Sequence, residues 1–412
     1  MQKILLATAL CATLITLHAE EMTTDTTIKK VRPGASADYI GASLLPEEKR
    51  TFSQSKYIPD ISLVLDASYV NRNADQNQLP HYEVPGISHG LLGAHAHGEA
   101  SHATYNANEG FNLNYAELVM SSSVDPFFSM QGVFHLSENG FAIEEGYFTS
   151  TALENGLRFK GGKFLSNFGY LNQQHHHVWD FADMPLVYES FLGMHGISEI
   201  GAQLQWTAPT PLYLMAGLEV LQGENEQMFG NATICYDEET GTSIAEGATT
   251  PSLYVTYLKS SYDIGDTTLL GGLSYARGDS RLDHSDDDED PHAFSGTSSL
   301  YGADFLVKHY FDSYSSIKWQ SEYLYRDMDG TYFNFDEDTS APMRKKQGGF
   351  YTQLVYMYDA NWGMGVRYDA ITQNDVSTNP DIATDMDKYS AMLEYHSSEF
   401  ARFRLQYNHN NS

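Results

Sequence analysis

Residues 200–222 read IGAQLQWTAPTPLYLMAGLEVLQ, and their order decides the fold. Ile200, Ala202, Leu204 and Trp206 alternate with Gly201, Gln203, Gln205 and Thr207, after which APTP at 208–211 turns the chain into a second segment over 211–222. Period two with one apolar face is the pattern of a strand whose apolar side meets lipid or a core. Lengths near ten residues suit a tilted strand that crosses a bilayer.

The pattern recurs outward in both directions. From Asp60, the residues Ile61, Leu63, Leu65, Ala67 and Tyr69 alternate with Ser62, Val64, Asp66 and Ser68. Further strands are predicted near 111–122, 126–137, 141–152, 157–168, 252–262, 267–278, 299–311, 314–326, 348–359, 361–371, 387–397 and 399–409, which makes fifteen with the first and the central pair. Their connections alternate between short (SVDP at 123–126, LENG at 153–156, DIGD at 263–266, FDSY at 311–314) and long (72–110, 169–199, 223–251, 279–298, 327–347, 372–386). SENG at 137–140 is a short connection on the long side. Short periplasmic turns and long external loops mark bacterial outer-membrane barrels. The expected fold is therefore all-β: a transmembrane, antiparallel, up-and-down barrel of about sixteen strands. Bacterial barrels have an even number, so either one strand lies unrecognised in 20–58 or the sequence stops one strand short.

The ends agree with export. MQKILLATALCATLITLHA places Lys3 before an apolar run from Ile4 to Leu17 and closes on Ala19, as a signal peptide of residues 1–19 does. Residues 20–58 read as a polar periplasmic arm and 59–412 as the barrel, set in outer-membrane lipid of a Gram-negative cell. No later stretch holds roughly 18 consecutive apolar residues, which argues against membrane-spanning helices. Tyr 28 and Phe 21 against Lys+Arg 24 is an aromatic surplus that suits strands. The formal charge of −30 opposes a nucleic-acid partner. Beyond the signal only Cys235 remains, so neither an internal disulfide nor a cysteine zinc cluster is expected.

The long connection 169–199, GYLNQQHHHVWDFADMPLVYESFLGMHGISE, carries more large apolar groups than an external loop can leave in water. It is expected to fold into the barrel and set the pore constriction, with Gln173, His175, His176, His177, Trp179, Asp180, Asp183 and Tyr188 lining it. His175, His177 and Asp180 are competent ligands for zinc or another divalent transition metal. In an extended segment His175 and His177 share a side that His176 does not. The first external connection offers a second cluster, His89, His95, His97, Glu99 and His102, suited to loose metal capture. Packing and hydrogen bonding inside the lumen is the alternative for the first set, and a loop with no metal role for the second. Inward charges are expected at Arg158, Lys160 and Lys163, at Lys318, Glu322 and Arg326, and at Arg402 and Arg404. No nucleophile elbow, phosphate loop or zinc-protease helix motif suggests an enzyme.

The order Gly169-Tyr170-Leu171-Asn172, His175, His177, Trp179-Asp180-Phe181, Pro185-Leu186-Val187-Tyr188, Phe191-Leu192-Gly193 and Trp206-Thr207-Ala208-Pro209 resembles a family of proteobacterial outer-membrane proteins. They are often labelled zinc-regulated TonB-dependent outer-membrane receptors. The resemblance implies an outer-membrane location and expression tied to zinc. A TonB-dependent transporter holds a folded plug in a 22-stranded barrel, which 40 residues before the first strand do not supply, so TonB coupling is not expected. Two functions stay open: a porin-like channel for small solutes, linked to zinc or other divalent-metal uptake, or a non-conducting receptor that captures metal. No cofactor is required by either, and a homotrimer is compatible with both.

Overall fold

The computed structural model describes residues 7–13, 59–73, 84, 86–87, 105–138, 140–225, 227–237, 242–285, 291–383 and 386–411. The strands are β1 (Ala7–Thr13), β2 (Asp60–Arg72), β3 (Gly110–Ser123), β4 (Phe128–Ser137), β5 (Gly140–Ser150) and β6 (Leu157–Leu165). They continue as β7 (Ser198–Thr207), β8 (Tyr213–Leu221), β9 (Ile234–Asp237), β10 (Thr242–Ala245), β11 (Leu253–Ile264) and β12 (Thr267–His284). The last are β13 (His292–Tyr310), β14 (Ser316–Asn334), β15 (Thr339–Met357), β16 (Trp362–Val376), β17 (Met386–Ser398) and β18 (Ala401–Asn411). All fifteen strands expected between residues 60 and 409 are present, each antiparallel to its neighbours in one sheet from β2 to β18, with β9 and β10 as a separate hairpin.

The sixteenth place is taken by β1, which pairs with β2 on one side and β18 on the other and closes the barrel. The expectation looked for that strand in 20–58 or past the end. Residues 7–13 fall within the stretch read as the export signal. Residues 20–58, and the side chains of 7–13, lie outside the described residues.

The sheet is apolar outside and polar inside. Ile61, Leu63 and Leu65, then Leu204 and Trp206, then Trp362, Met364 and Val366 are exposed outward, while Gln203, Gln205, Arg367 and Asp369 between them are buried. This inverted burial, wrapped around a closed sheet, is that of a protein solvated by lipid, and the chain is an outer-membrane β-barrel. Lys163 corrects the expected inward set. It pairs directly with outward Ile200, so it shares that face, and it donates to the Ile143 carbonyl. Two long connections are also shorter than expected, because β12 to β15 run 18 or 19 residues and leave only 285–291 and 335–338 between them. Phe294, Met328, Met343 and Val376 form an apolar cluster that supports the extension.

Candidate functional site

The segment between β6 and β7 lies inside the barrel. It starts with a turn at Gly169, whose φ of 62° suits glycine, and where a Cβ would collide with the Tyr188 hydroxyl and the Glu322 carboxylate. A short 3-10 turn, His176–Val178, follows, and then helix α1, Leu186–Leu192, which starts after Pro185 and stops at Gly193.

Wall carboxylates hold this segment by accepting its backbone N–H groups. Glu322 of β14 takes Tyr170 N–H at 2.8 Å and Leu171 N–H at 2.9 Å, together with the Tyr188 hydroxyl at 2.7 Å. Asp369 of β16 takes Leu186 N–H at 3.0 Å, and Glu219 of β8 takes Asn167 N–H at 2.9 Å. Wall cations hold its acids and carbonyls. Lys318 donates to Asp180 at 2.6 Å, Arg402 to the His177 carbonyl at 2.6 Å and Arg404 to the Trp179 carbonyl at 2.7 Å. Asp183 receives Arg367 at 2.9 Å and Lys388 at 2.8 Å, and also Gln406. Burial alone would raise the Asp183 carboxyl, but Arg367 and Lys388 hold it below the ordinary carboxylate range. The segment thus reaches from wall to wall.

Its two faces differ. On one, Leu186, Val187, Tyr188, Phe191 and Leu192 of α1 join Phe168 in an apolar cluster with Leu221, Leu253, Leu300, Leu324, Tyr351 and Ile371 of the wall. Arg326, buried here, lies 4.6 Å from the Phe191 ring centre and donates to the Ile87 carbonyl of the first long connection. On the other, facing β3, β4 and β5, the lining is histidine and glutamate.

That ionic face is built by register. Glu117 of β3 sits directly opposite His135 of β4, with His135 Nε2 at 3.0 Å from Glu117 Oε2. A bulge in β5, where Phe134 pairs Ile143 and Val133 pairs Glu145, leaves Glu144 and Glu145 both buried inside. A second bulge, in β3, turns Asn114 and Tyr115 inward together, and Tyr115 stacks on His135 at 4.4 Å. From the infolded segment, His175 places Nδ1 at 3.5 Å from Glu117 Oε2 and Nε2 at 3.0 Å from Glu145 Oε2. His177 Nδ1 stands 3.4 Å from the same Glu117 oxygen, and His195 Nδ1 lies 3.7 Å from Glu144. Burial disfavours a charged His175, but Glu117, Glu145 and Glu144 outweigh it and raise the imidazole to about 9.

Of the residues expected at a metal, the structure brings His175 and His177 together, their rings 5.9 Å apart. His176 faces away, stacked on Tyr105 at 4.2 Å and bonded to the Ala182 carbonyl. Asp180 does not join them, because Lys318 and Gln353 take its carboxylate. His89, His95, His97, Glu99 and His102 lie outside the described residues. Of the expected constriction residues, Trp179 and Tyr188 are buried in packing, Gln173 donates to the Tyr170 carbonyl, and Gln173, His177, Asp180 and Asp183 keep partial exposure. Sequence reasoning missed Glu117, His135, Glu144, Glu145 and His195. A signal for the β5 pair exists in FAIEEGYF: the outward parity of Phe141 and Ile143 is odd and that of Phe148 even, so the period slips at the two glutamates.

No family model matches the chain. A protein of Aquifex aeolicus (strain VF5) described as an uncharacterized protein is 44% identical over 362 residues, which cover 87% of this chain and 75% of that one. Among solved structures, the chain is similar to the outer membrane channel DcaP of Acinetobacter baumannii, at 12% identity over 88% of this chain and 99% of that one, with a TM-score of 0.46. It is also similar to OmpT of Vibrio cholerae with loop L8 deleted, an outer membrane protein, at 12% identity over 72% and 90% with a TM-score of 0.41. The anion-selective porin from Comamonas acidovorans matches at 9% identity over 73% and 92% with a TM-score of 0.39.

Proposed function

The chain belongs to one family with the Aquifex aeolicus protein, and we propose that it is an outer-membrane channel for small solutes whose lumen is narrowed by the infolded segment 166–197. The observation that carries this reading is the docking of that segment: it is held across the lumen by side chains from β8, β14, β16, β17 and β18. A segment so placed sets the size of whatever passes, and Lys318 paired with Asp180 and Arg402 near Glu394 set a field of both signs across it. Divalent-metal species are the finer assignment. Support comes from the net charge of −30, which concentrates cations, and from the histidine and glutamate lining. Energy coupling through TonB forms no part of this reading.

One observation favours a second reading, a non-conducting receptor that captures metal. The α1 face fills its side of the lumen with a buried apolar cluster. Single-channel recording in planar bilayers separates the two. The channel predicts discrete conductance steps from the full-length protein, and steps that never occur across many insertions sink it.

A further inference from the structure

We propose that the lumen holds an exchangeable site for one divalent transition-metal ion, with Glu117, His135 and His175 as ligands. The three ligating atoms lie within 4.8 Å of one another. Around Glu117 Oε2, His135 Nε2 stands at 3.0 Å and His175 Nδ1 at 3.5 Å, with His177 Nδ1 at 3.4 Å. Donors held about 2.0–2.1 Å from a tetrahedral ion are roughly 3.3 Å from each other, so these separations are already those of a coordination polyhedron's edges.

The surrounding groups fit the same assignment. A metal-bound imidazole commonly turns its other nitrogen to a carboxylate, which fixes its tautomer and raises its basicity. His175 does so here, and His135 points its Nδ1 toward Glu144 without a hydrogen bond. His175 Nε2 is 3.0 Å from Glu145, and His135 Nδ1 faces Glu144 at 3.8 Å. The β5 bulge that buries two successive glutamates is what supplies both. Glu117 is fully buried, yet among the described residues its Oε1 has no hydrogen-bond partner. Native structures leave few such atoms orphaned, and an ion is one way of satisfying them. A divalent cation would also balance three carboxylates shut away from water, where unbalanced charge is costly.

Two nitrogens and one oxygen, without sulfur, suit Zn2+, Co2+ or Fe2+, whereas Mg2+ and Ca2+ take oxygen donors. Three protein ligands leave the fourth position to His177 or water, the arrangement of a site that trades ligands. The site does not rest on conduction.

The test uses full-length protein extracted from outer membranes in detergent, stripped with a chelator and titrated with Zn2+ or Co2+ alone. One equivalent of either ion per chain is expected, and Co2+ should give the visible absorption of a low-coordinate nitrogen–oxygen site. His135→Gln and Glu117→Gln should each weaken binding at least 100-fold, and Glu145→Gln about 10- to 100-fold. The pair His95→Ala and His97→Ala should leave the tight equivalent untouched, and heat-modifiable gel mobility reports whether each variant keeps its barrel. Absence of saturable binding and of a cobalt band in the parent protein overturns the proposal whatever the variants do. So does a folded His135→Gln variant that titrates like the parent. A chain that binds one equivalent but never conducts loses the channel and keeps the site, and a conducting chain that binds none does the reverse.

Discussion

The infolded segment meets its barrel in two contrasting ways. Against β14 to β16, helix α1 presents Leu186, Val187, Phe191 and Leu192 to an apolar wall. Against β3 to β5, only turns of chain away, His175 and His177 meet Glu117 and Glu145. The apolar side is held by area removed from water, which no ion or proton alters. The ionic side is held by groups whose preferred partners change with what is bound. One side anchors the segment; the other gathers titratable groups from three strands.

The largest effect should follow from emptying the anchor. Phe191→Ala removes a fully buried ring that packs on α1's wall and lies under the Arg326 guanidinium, at a cost of about 3–5 kcal/mol. Because strand pairing is untouched, the loss should appear as release of the segment. Chymotrypsin should cut within 169–199 more readily than in the parent, and conductance should rise. A variant that resists cleavage as the parent does would mean that the apolar contact is not the anchor. Gly169→Ala should act next in size. Its left-handed backbone and the collision with Tyr188 and Glu322 together cost roughly 2–4 kcal/mol, read by the same cleavage assay.

The ionic side should respond differently. Glu145→Gln keeps the shape beside His175 but removes a charge, for about 1.4–2.7 kcal/mol of metal affinity and no gain in chymotrypsin sensitivity. Cleavage that rises as zinc binding falls would show that the two sides are one unit.

The same contrast explains what the sequence made legible. Strands announced themselves because lipid imposes period two on one face, as in Ile200 to Trp206. The anchor announced itself through aromatic and aliphatic residues that an external loop cannot leave in water. The ionic site was half visible: His175 and His177 stand out in HHH, but Glu117 and His135 are single polar residues of the inward parity that every strand supplies. What joins them is pairing register and the β5 bulge, properties of two strands together. A strand at Ala7–Thr13 was not legible in the sequence. Edge pairing depends on a free partner more than on pattern, and Ala7–Thr13 carries none of the apolar–polar alternation that marked the others.

The smallest expected effect concerns acid, and here the sign decides. Asp183 sits between Arg367 and Lys388 on the far wall, with Gln406 and Asn408 donating and Asp369 behind Arg367. Its folded value lies below that of a free carboxylate, so its contribution to docking is complete above the ordinary value of about 4 and is lost only as pH falls through the depressed one. Between pH 7 and pH 4.5 this attachment should therefore not weaken, whereas metal affinity on the ionic side should fall, since protonated imidazoles do not coordinate. Hydrogen exchange of the Ala182 amide, which donates to Gln406, measured beside zinc binding over that range, reports both sides at once. Protection that decays in step with zinc loss would mean that the ionic side controls the position of the whole segment, and the division between anchor and site would have to be given up.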